Sequence, residues 1–118
     1  MKSIKSLLLA SALLLPSIGL ADLTPSAFLK LSSGNETELG MVEMYVGGVV
    51  KGYLSANAFL GATNQQPMFC YDGDIDTGTA KKITTQMLKA HLKKAPEDKN
   101  KEIVEVLLLL NLKAKYPC

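Results

Sequence analysis

Cys70, Cys118 and His91 are the residues of this chain whose side chains best suit nucleophilic or acid–base chemistry. A catalytic cysteine needs a base close to it, and His91 is the one histidine in the sequence. That histidine lies among lysines in a segment of helical periodicity, where a solvated side chain is the commoner outcome. Two cysteines and one distant histidine also fall short of the four ligands of a structural zinc site. The sequence therefore predicts a protein that is not an enzyme and holds no cofactor.

Residues 72–76 resemble the opening of a calcium-binding loop, because acidic residues alternate there. The later positions do not fit: Thr77 stands where such a loop needs glycine, and Ile83 where it needs a bidentate glutamate. Asp74 and Asp76 also precede a predicted helix, whose N-terminus favours negative charge in any case. We expect no metal site in this segment.

Residues 1–21 have the three parts of a secretory signal peptide. Two lysines come first, an apolar run over residues 7–15 follows, and Gly19 and Ala21 are the small residues before a cleavage point. The run is short for a bilayer span, which takes about 20 apolar residues. We expect cleavage after Ala21, a periplasmic protein of residues 22–118, and no membrane span in the mature form.

Removal of the signal peptide changes the net charge. The chain has 13 basic residues, all lysines, and 11 acidic residues, and only two lysines lie in the signal, which leaves 11 of each sign in the mature chain. A neutral domain lacks the basic surface that nucleic-acid and anionic-membrane binding require. We expect neither kind of partner.

An even number of cysteines in a short exported chain favours a disulfide over two unpaired thiols. Cys70 and Cys118 both lie in the mature part, 48 residues apart. On the chain-entropy model a link of this length removes about 4 kcal/mol of unfolded-state freedom. Such a link matters to a domain of this size, which buries a modest fraction of its surface.

The mature chain has helical periodicity throughout and predicts an all-α fold, a small bundle of four or five helices with one disulfide. Pro25 after Thr24 marks the first helix start, and a turn cluster at 32–34 ends that helix. Asn35 and its following glutamates mark the second start. The predicted helices after the first cover about residues 36–60, 77–94 and 100–115, with an irregular loop at 61–76.

Two of the predicted helices carry a residue pattern that bears on which surface each helix contacts. Gly48, Gly52 and Ala56 form a line of small residues, which predicts a close helix contact, within the domain by preference or else across a homodimer. The last helix carries a leucine run at 107–110 and is apolar nearly all round. Such a helix is usually the buried centre of a bundle, so a lipid or partner groove there is the less favoured interpretation.

Four short motifs of the mature chain resemble those of the Rap/Tai family of type VI secretion immunity proteins. They are the segment YVGGVVKG at 45–52, the pair Phe69-Cys70, the turn Ala95-Pro96-Glu97 and the terminus KYPC at 115–118. The resemblance implies a periplasmic all-helical domain that binds an injected peptidoglycan amidase and blocks its catalytic cleft. It also implies that the two cysteines are bonded.

Four positions depart from the family pattern. Leu31 and Met41 stand near the places where many members carry a second cysteine pair. Lys51 replaces an acidic residue that often follows the Gly-Val of the second helix, and Ala95 replaces the histidine of the turn. The resemblance thus implies one disulfide here rather than two, and it leaves the identity of the amidase open.

Exposure and irregularity single out three regions for partner contact: the loop at 64–67, the lysine face of the third helix and the turn at 94–100. The candidate residues are Asn64, Gln65, Gln66, Lys82, Lys89, Lys93 and Glu97. Two other functions fit the same features. One is a periplasmic acid-stress chaperone of the HdeA type, and the other is an inhibitor of another wall hydrolase. A chaperone of this type should suppress the aggregation of a client protein at acidic pH and not at neutral pH. An inhibitor of another wall hydrolase would differ from the amidase inhibitor only in the enzyme that it binds.

Overall fold

The computed structural model describes residues 23–118, and this part of the chain is helical with no β-strand. The four α-helices are α1 (Pro25–Ser32), α2 (Glu36–Ala62), α3 (Thr77–Lys94) and α4 (Val104–Lys115), and a 3-10 turn (Pro96–Asn100) precedes α4. The predicted all-α class is therefore confirmed. The predicted signal peptide at 1–21 lies outside the described residues.

The first three helices begin at polar caps. The Thr24 hydroxyl accepts from the backbone N–H of Ala27 at 3.1 Å. Asn35 and Glu38 cap α2 reciprocally, each side chain accepting from the other's backbone N–H. Asp76 caps α3 and accepts hydrogen bonds from the backbone N–H and the hydroxyl of Thr79. These bonds lower the pKa of the Asp76 carboxyl, and the bond from the backbone N–H has the larger effect.

The last helix begins four residues later than the sequence predicted, because a 3-10 turn occupies the expected start. Asp98 holds this turn: its carboxylate contacts Nε2 of His91 at 2.7 Å and Nζ of Lys101 at 2.7 Å. Hydrogen bonds from Lys101, and next from His91, lower the pKa of the Asp98 carboxyl. His91 is thus a half-buried partner of Asp98 rather than a solvated side chain.

The core lies between one face of each helix. Val42, Val46 and Val50 place a stripe of α2 in the interior, and α4 contributes residues at the same four-residue spacing. Burial of each such side chain contributes about 1.5–3 kcal/mol. The buried apolar residues are Leu23, Phe28, Val42, Val46, Val50, Phe69, Ile75, Ala80, Ile83, Leu88, Val104, Leu108 and Leu112.

The prediction that α4 is the buried centre of the bundle is wrong. Leu108 is buried, but Val106 and Leu110 are each 58% exposed, because α4 packs on one side only and lies at the edge of the bundle. The Tyr53 hydroxyl of α2 donates to the Glu105 carbonyl at 2.6 Å and fixes the start of α4. Burial, and next the charge of Glu105, raise the pKa of the Tyr53 hydroxyl.

Membrane crossing requires a long, strongly apolar helix. None of the helices in residues 23–118 has that combination.

Candidate partner-binding surface

The predicted disulfide between Cys70 and Cys118 is present and fixes the C-terminus to the loop that joins α2 to α3. The N–H of Cys70 donates to the carbonyl of Tyr116 at 2.7 Å. The rings of Tyr71 and Tyr116 meet edge to face with centroids 4.7 Å apart. Backbone, ring and covalent contacts therefore hold the two segments side by side.

Asn57 of α2 holds the same loop from the other side. Its Nδ2 donates to the Phe69 carbonyl at 3.0 Å, and its Oδ1 accepts from the Met68 N–H at 2.8 Å. Phe69 itself is 1% exposed and belongs to the core. The sequence analysis missed Asn57, although an asparagine in an otherwise apolar helix segment is a signal that could have drawn attention to it.

The loop candidates Asn64, Gln65 and Gln66 are all exposed. Asn64 adopts φ 60°, the left-handed conformation that asparagine tolerates better than most residues. The N–H of Gln65 donates to the Leu60 carbonyl at 2.7 Å, so the chain reverses immediately after α2. Gln66 borders a groove that also includes Lys113 of α4.

The lysine candidates lie on one exposed face of α3. Lys82, Lys89 and Lys93 follow at spacings of seven and four residues, and none of them forms an ion pair within residues 23–118. Glu97 is also exposed, but it follows the far end of α3. Because 18 helical residues span about 27 Å, the loop candidates and Glu97 belong to separate regions.

The prediction of an internal helix contact at Gly48 and Gly52 is wrong. A Cβ added to either glycine would meet no atom within 4 Å, because both face solvent. The close approach falls at Gly47 instead, where an added Cβ would lie 3.2 Å from Oγ1 of Thr77 on α3. Ala56, the third member of the line, is half-buried.

Replacing Gly48 or Gly52 with alanine should raise the free energy of unfolding by about 0.5–1 kcal/mol each. Glycine in a helix interior costs that much relative to alanine, and the added methyl group meets nothing within the protein. Urea unfolding of dilute protein measures the change. Gly47→Ala is the matched control and should gain nothing, since its methyl group would crowd Thr77. A loss of stability at Gly48 would contradict the assignment of this face to solvent.

Large apolar side chains flank these glycines on the outward face of α2. Met44 is 77% exposed and Phe59 is 67% exposed. Lys51 is the one charged residue from position 44 to the end of the helix. Exposed apolar surface of this kind marks interaction sites on soluble proteins.

Within residues 23–118 no three His, Cys, Asp or Glu side chains are placed to hold a metal ion. In residues 72–76, which resemble the opening of a calcium-binding loop, Ile75 is buried and Asp76 is the cap of α3.

The sequence model of one protein family, described as Rap1a immunity proteins, matches residues 22–118. Searches of curated proteins and of solved structures found no match. The family match covers every described residue, from Leu23 to the disulfide at Cys118. The chain belongs to the Rap1a family of immunity proteins.

Proposed function

We propose that the toxin this protein neutralises is a peptidoglycan amidase delivered by type VI secretion, and that neutralisation takes place in the periplasm. The observation that carries the proposal is the family match over residues 22–118. Two features of the chain support the periplasmic location: the signal-like segment before residue 22 and the disulfide, which is typical of oxidising compartments.

The proposed mechanism is steric. The protein binds over the active-site cleft of the amidase and keeps the peptidoglycan strand out. Such a block benefits from a surface that is already ordered, because ordering a loop on binding lowers affinity. Asn57, the disulfide and the Tyr71–Tyr116 contact provide that order at the loop end.

A rescue experiment tests the proposal. Cells that express a type VI secreted peptidoglycan amidase of the producing strain, directed to the periplasm, should lyse, and co-expression of the full-length chain should restore growth. The purified pair should form a complex that no longer hydrolyses peptidoglycan. A lysozyme assayed in parallel should keep its activity. Failure to bind or rescue, or inhibition of lysozyme alone, would contradict the amidase proposal.

Export makes a separate prediction. Cells expressing the full-length chain should release in osmotic shock fluid a protein whose intact mass corresponds to residues 22–118 with one disulfide. A substitution of Ala21 by a bulky residue should block processing, because the cleavage site needs a small residue there. An unprocessed chain that begins at Met1 in the wild-type fraction would contradict the prediction.

We also propose that the outward face of α2 pairs two copies of the chain. Gly48 and Gly52 let a second helix approach closely, and Met44 and Phe59 supply exposed apolar area beside them. Light scattering should give twice the monomer mass. Gly48→Glu should give the monomer without unfolding the protein, since the added side chain meets no internal atom. A monomeric wild-type protein removes this proposal.

A further inference from the structure

A groove of about 470 Å³ lies between the second half of α2 and the loop that the disulfide fixes. Its apolar walls come from Leu54 and Ala58 of α2 and from Pro67 and Tyr71 of the loop. It is open to solvent rather than enclosed. A groove of this form suits a side chain presented by another protein better than an enclosed small molecule.

The far wall of the groove is held in place before anything binds. Asn57 makes two hydrogen bonds to the loop backbone, at 3.0 and 2.8 Å. The N–H of Cys70 makes a third, to Tyr116, beside the disulfide. A preformed groove spares a ligand the entropy of ordering its site.

The lining of the groove includes a negatively charged side chain. Asp72 is among the lining residues and is exposed, and Asp74 follows two positions later. Neither carboxylate forms an ion pair within residues 23–118, whereas the next acid, Asp76, is occupied in capping α3.

The charged side chains that line this groove differ from those of two smaller grooves of the described part of the chain. Each of those includes a lysine, Lys113 in one and Lys115 in the other, and neither includes an aspartate or glutamate side chain. The groove at Asp72 has the reverse composition, a carboxylate and no lysine.

We propose that this groove receives a lysine or arginine side chain of a protein partner. Long basic side chains lay their methylene stems along apolar surface and keep the charged group at the end. Here the stem lies against Leu54, Ala58 and Pro67, and the cation meets the carboxylate of Asp72. The identification of the partner with the toxin rests on the proposed function, but the chemistry of the groove does not.

The chemistry is tested with a small probe. The full-length chain, expressed with its own N-terminal segment and purified with the disulfide intact, is titrated with N-acetyl-arginine amide and followed by backbone amide NMR. Shifts should saturate at Ala58, Tyr71 and Asp72. The citrulline analogue, which has the same shape without the charge, should give at most a tenth of the shift at equal concentration, about the factor expected from losing one charged hydrogen bond.

Matched variants complete the probe experiment. Asp72→Asn should abolish the saturating shifts. Glu102→Gln removes one exposed carboxylate outside the groove and should leave them unchanged. Equal shifts with arginine and citrulline, or shifts spread over all acidic residues, would overturn the proposal.

A second measurement tests whether the toxin binds in the groove. Two variants should each weaken toxin binding about tenfold: Asp72→Asn, which removes the charge, and Ala58→Phe, which fills the groove from an exposed position. Glu102→Gln should leave the affinity for the toxin within about twofold of wild type. If the toxin binds wild type and all variants equally, the groove proposal fails and the immunity function stands. If the toxin does not bind wild type at all, the proposed function fails, and the arginine titration alone decides the chemistry of the groove.

Discussion

Replacing both Cys70 and Cys118 with serine should lower the free energy of unfolding by about 4 kcal/mol. The bond joins residues with a sequence separation of 48, so its loss returns a large loop-closure entropy to the unfolded chain. Domains of ordinary stability have about 5–15 kcal/mol in total. The loss is therefore a large share of what keeps this protein folded.

Urea unfolding of the oxidised wild type and of the double serine variant measures this change. Wild type treated with a reductant is the matched control, because it loses the same link while its sequence is unchanged. Both should lose stability by the same amount. A decrease below about 1 kcal/mol would contradict the expectation and mean that the unfolded chain stays compact near the link.

The double serine variant also tests whether the disulfide keeps the groove wall ordered, apart from its effect on global stability. Without the bond, the segment around Cys118 keeps two contacts to the loop, the Cys70–Tyr116 hydrogen bond and the Tyr71–Tyr116 ring contact. These are weak individually, so the groove wall should open more often. In this variant, amide exchange at position 70, now serine, and at Tyr71 should accelerate more than exchange in the middle of α2.

The starts of α1 and α2 were predictable because their causes are local. Thr24 and Asn35 each bond to a backbone N–H three residues ahead, and a short window of sequence contains the whole interaction. The disulfide was predictable for a different reason, since two cysteines in a short chain with a predicted signal peptide leave one pairing. Neither inference required knowledge of how the helices pack.

What a helix face contacts was not predictable in the same way. Periodicity identifies an apolar face but not whether a neighbour covers it. Gly48 was expected to pack internally and faces solvent, and Leu110 was expected in the core and is 58% exposed. In both cases the apolar or small residue lies on a surface that the rest of the domain leaves uncovered.

The groove depends on contacts too distant in sequence to anticipate. Its loop wall is fixed by Asn57, which lies 12 residues before Phe69, and by Tyr116, which lies far beyond α3. The start of α4 was missed for a related reason. The contact between Asp98 and His91 joins residues across a turn and holds a 3-10 segment where an isolated helix could have begun.

Phe69→Ala should lower the free energy of unfolding by about 3–5 kcal/mol, although Phe69 lies in a loop. Its ring is 1% exposed and is one of the largest fully buried side chains in the described part of the chain. Truncation removes the transfer free energy of the ring and leaves a cavity beneath the loop. Asn57 would still hold the backbone on either side of that cavity, so the loop cannot collapse fully into it.

Phe59→Ala is the matched control, because it makes the same chemical change at a site that is 67% exposed. It should change the free energy of unfolding of the monomer by less than about 0.5 kcal/mol, since surface substitutions rarely do more and alanine is the better helix former. Thermal unfolding of both variants in dilute solution gives the comparison. Equal effects would contradict the structure, because they would mean either that Phe69 is solvated or that Phe59 is covered. A small effect of Phe59→Ala in dilute protein that grows with concentration would instead assign the ring of Phe59 to the contact between two copies of the chain.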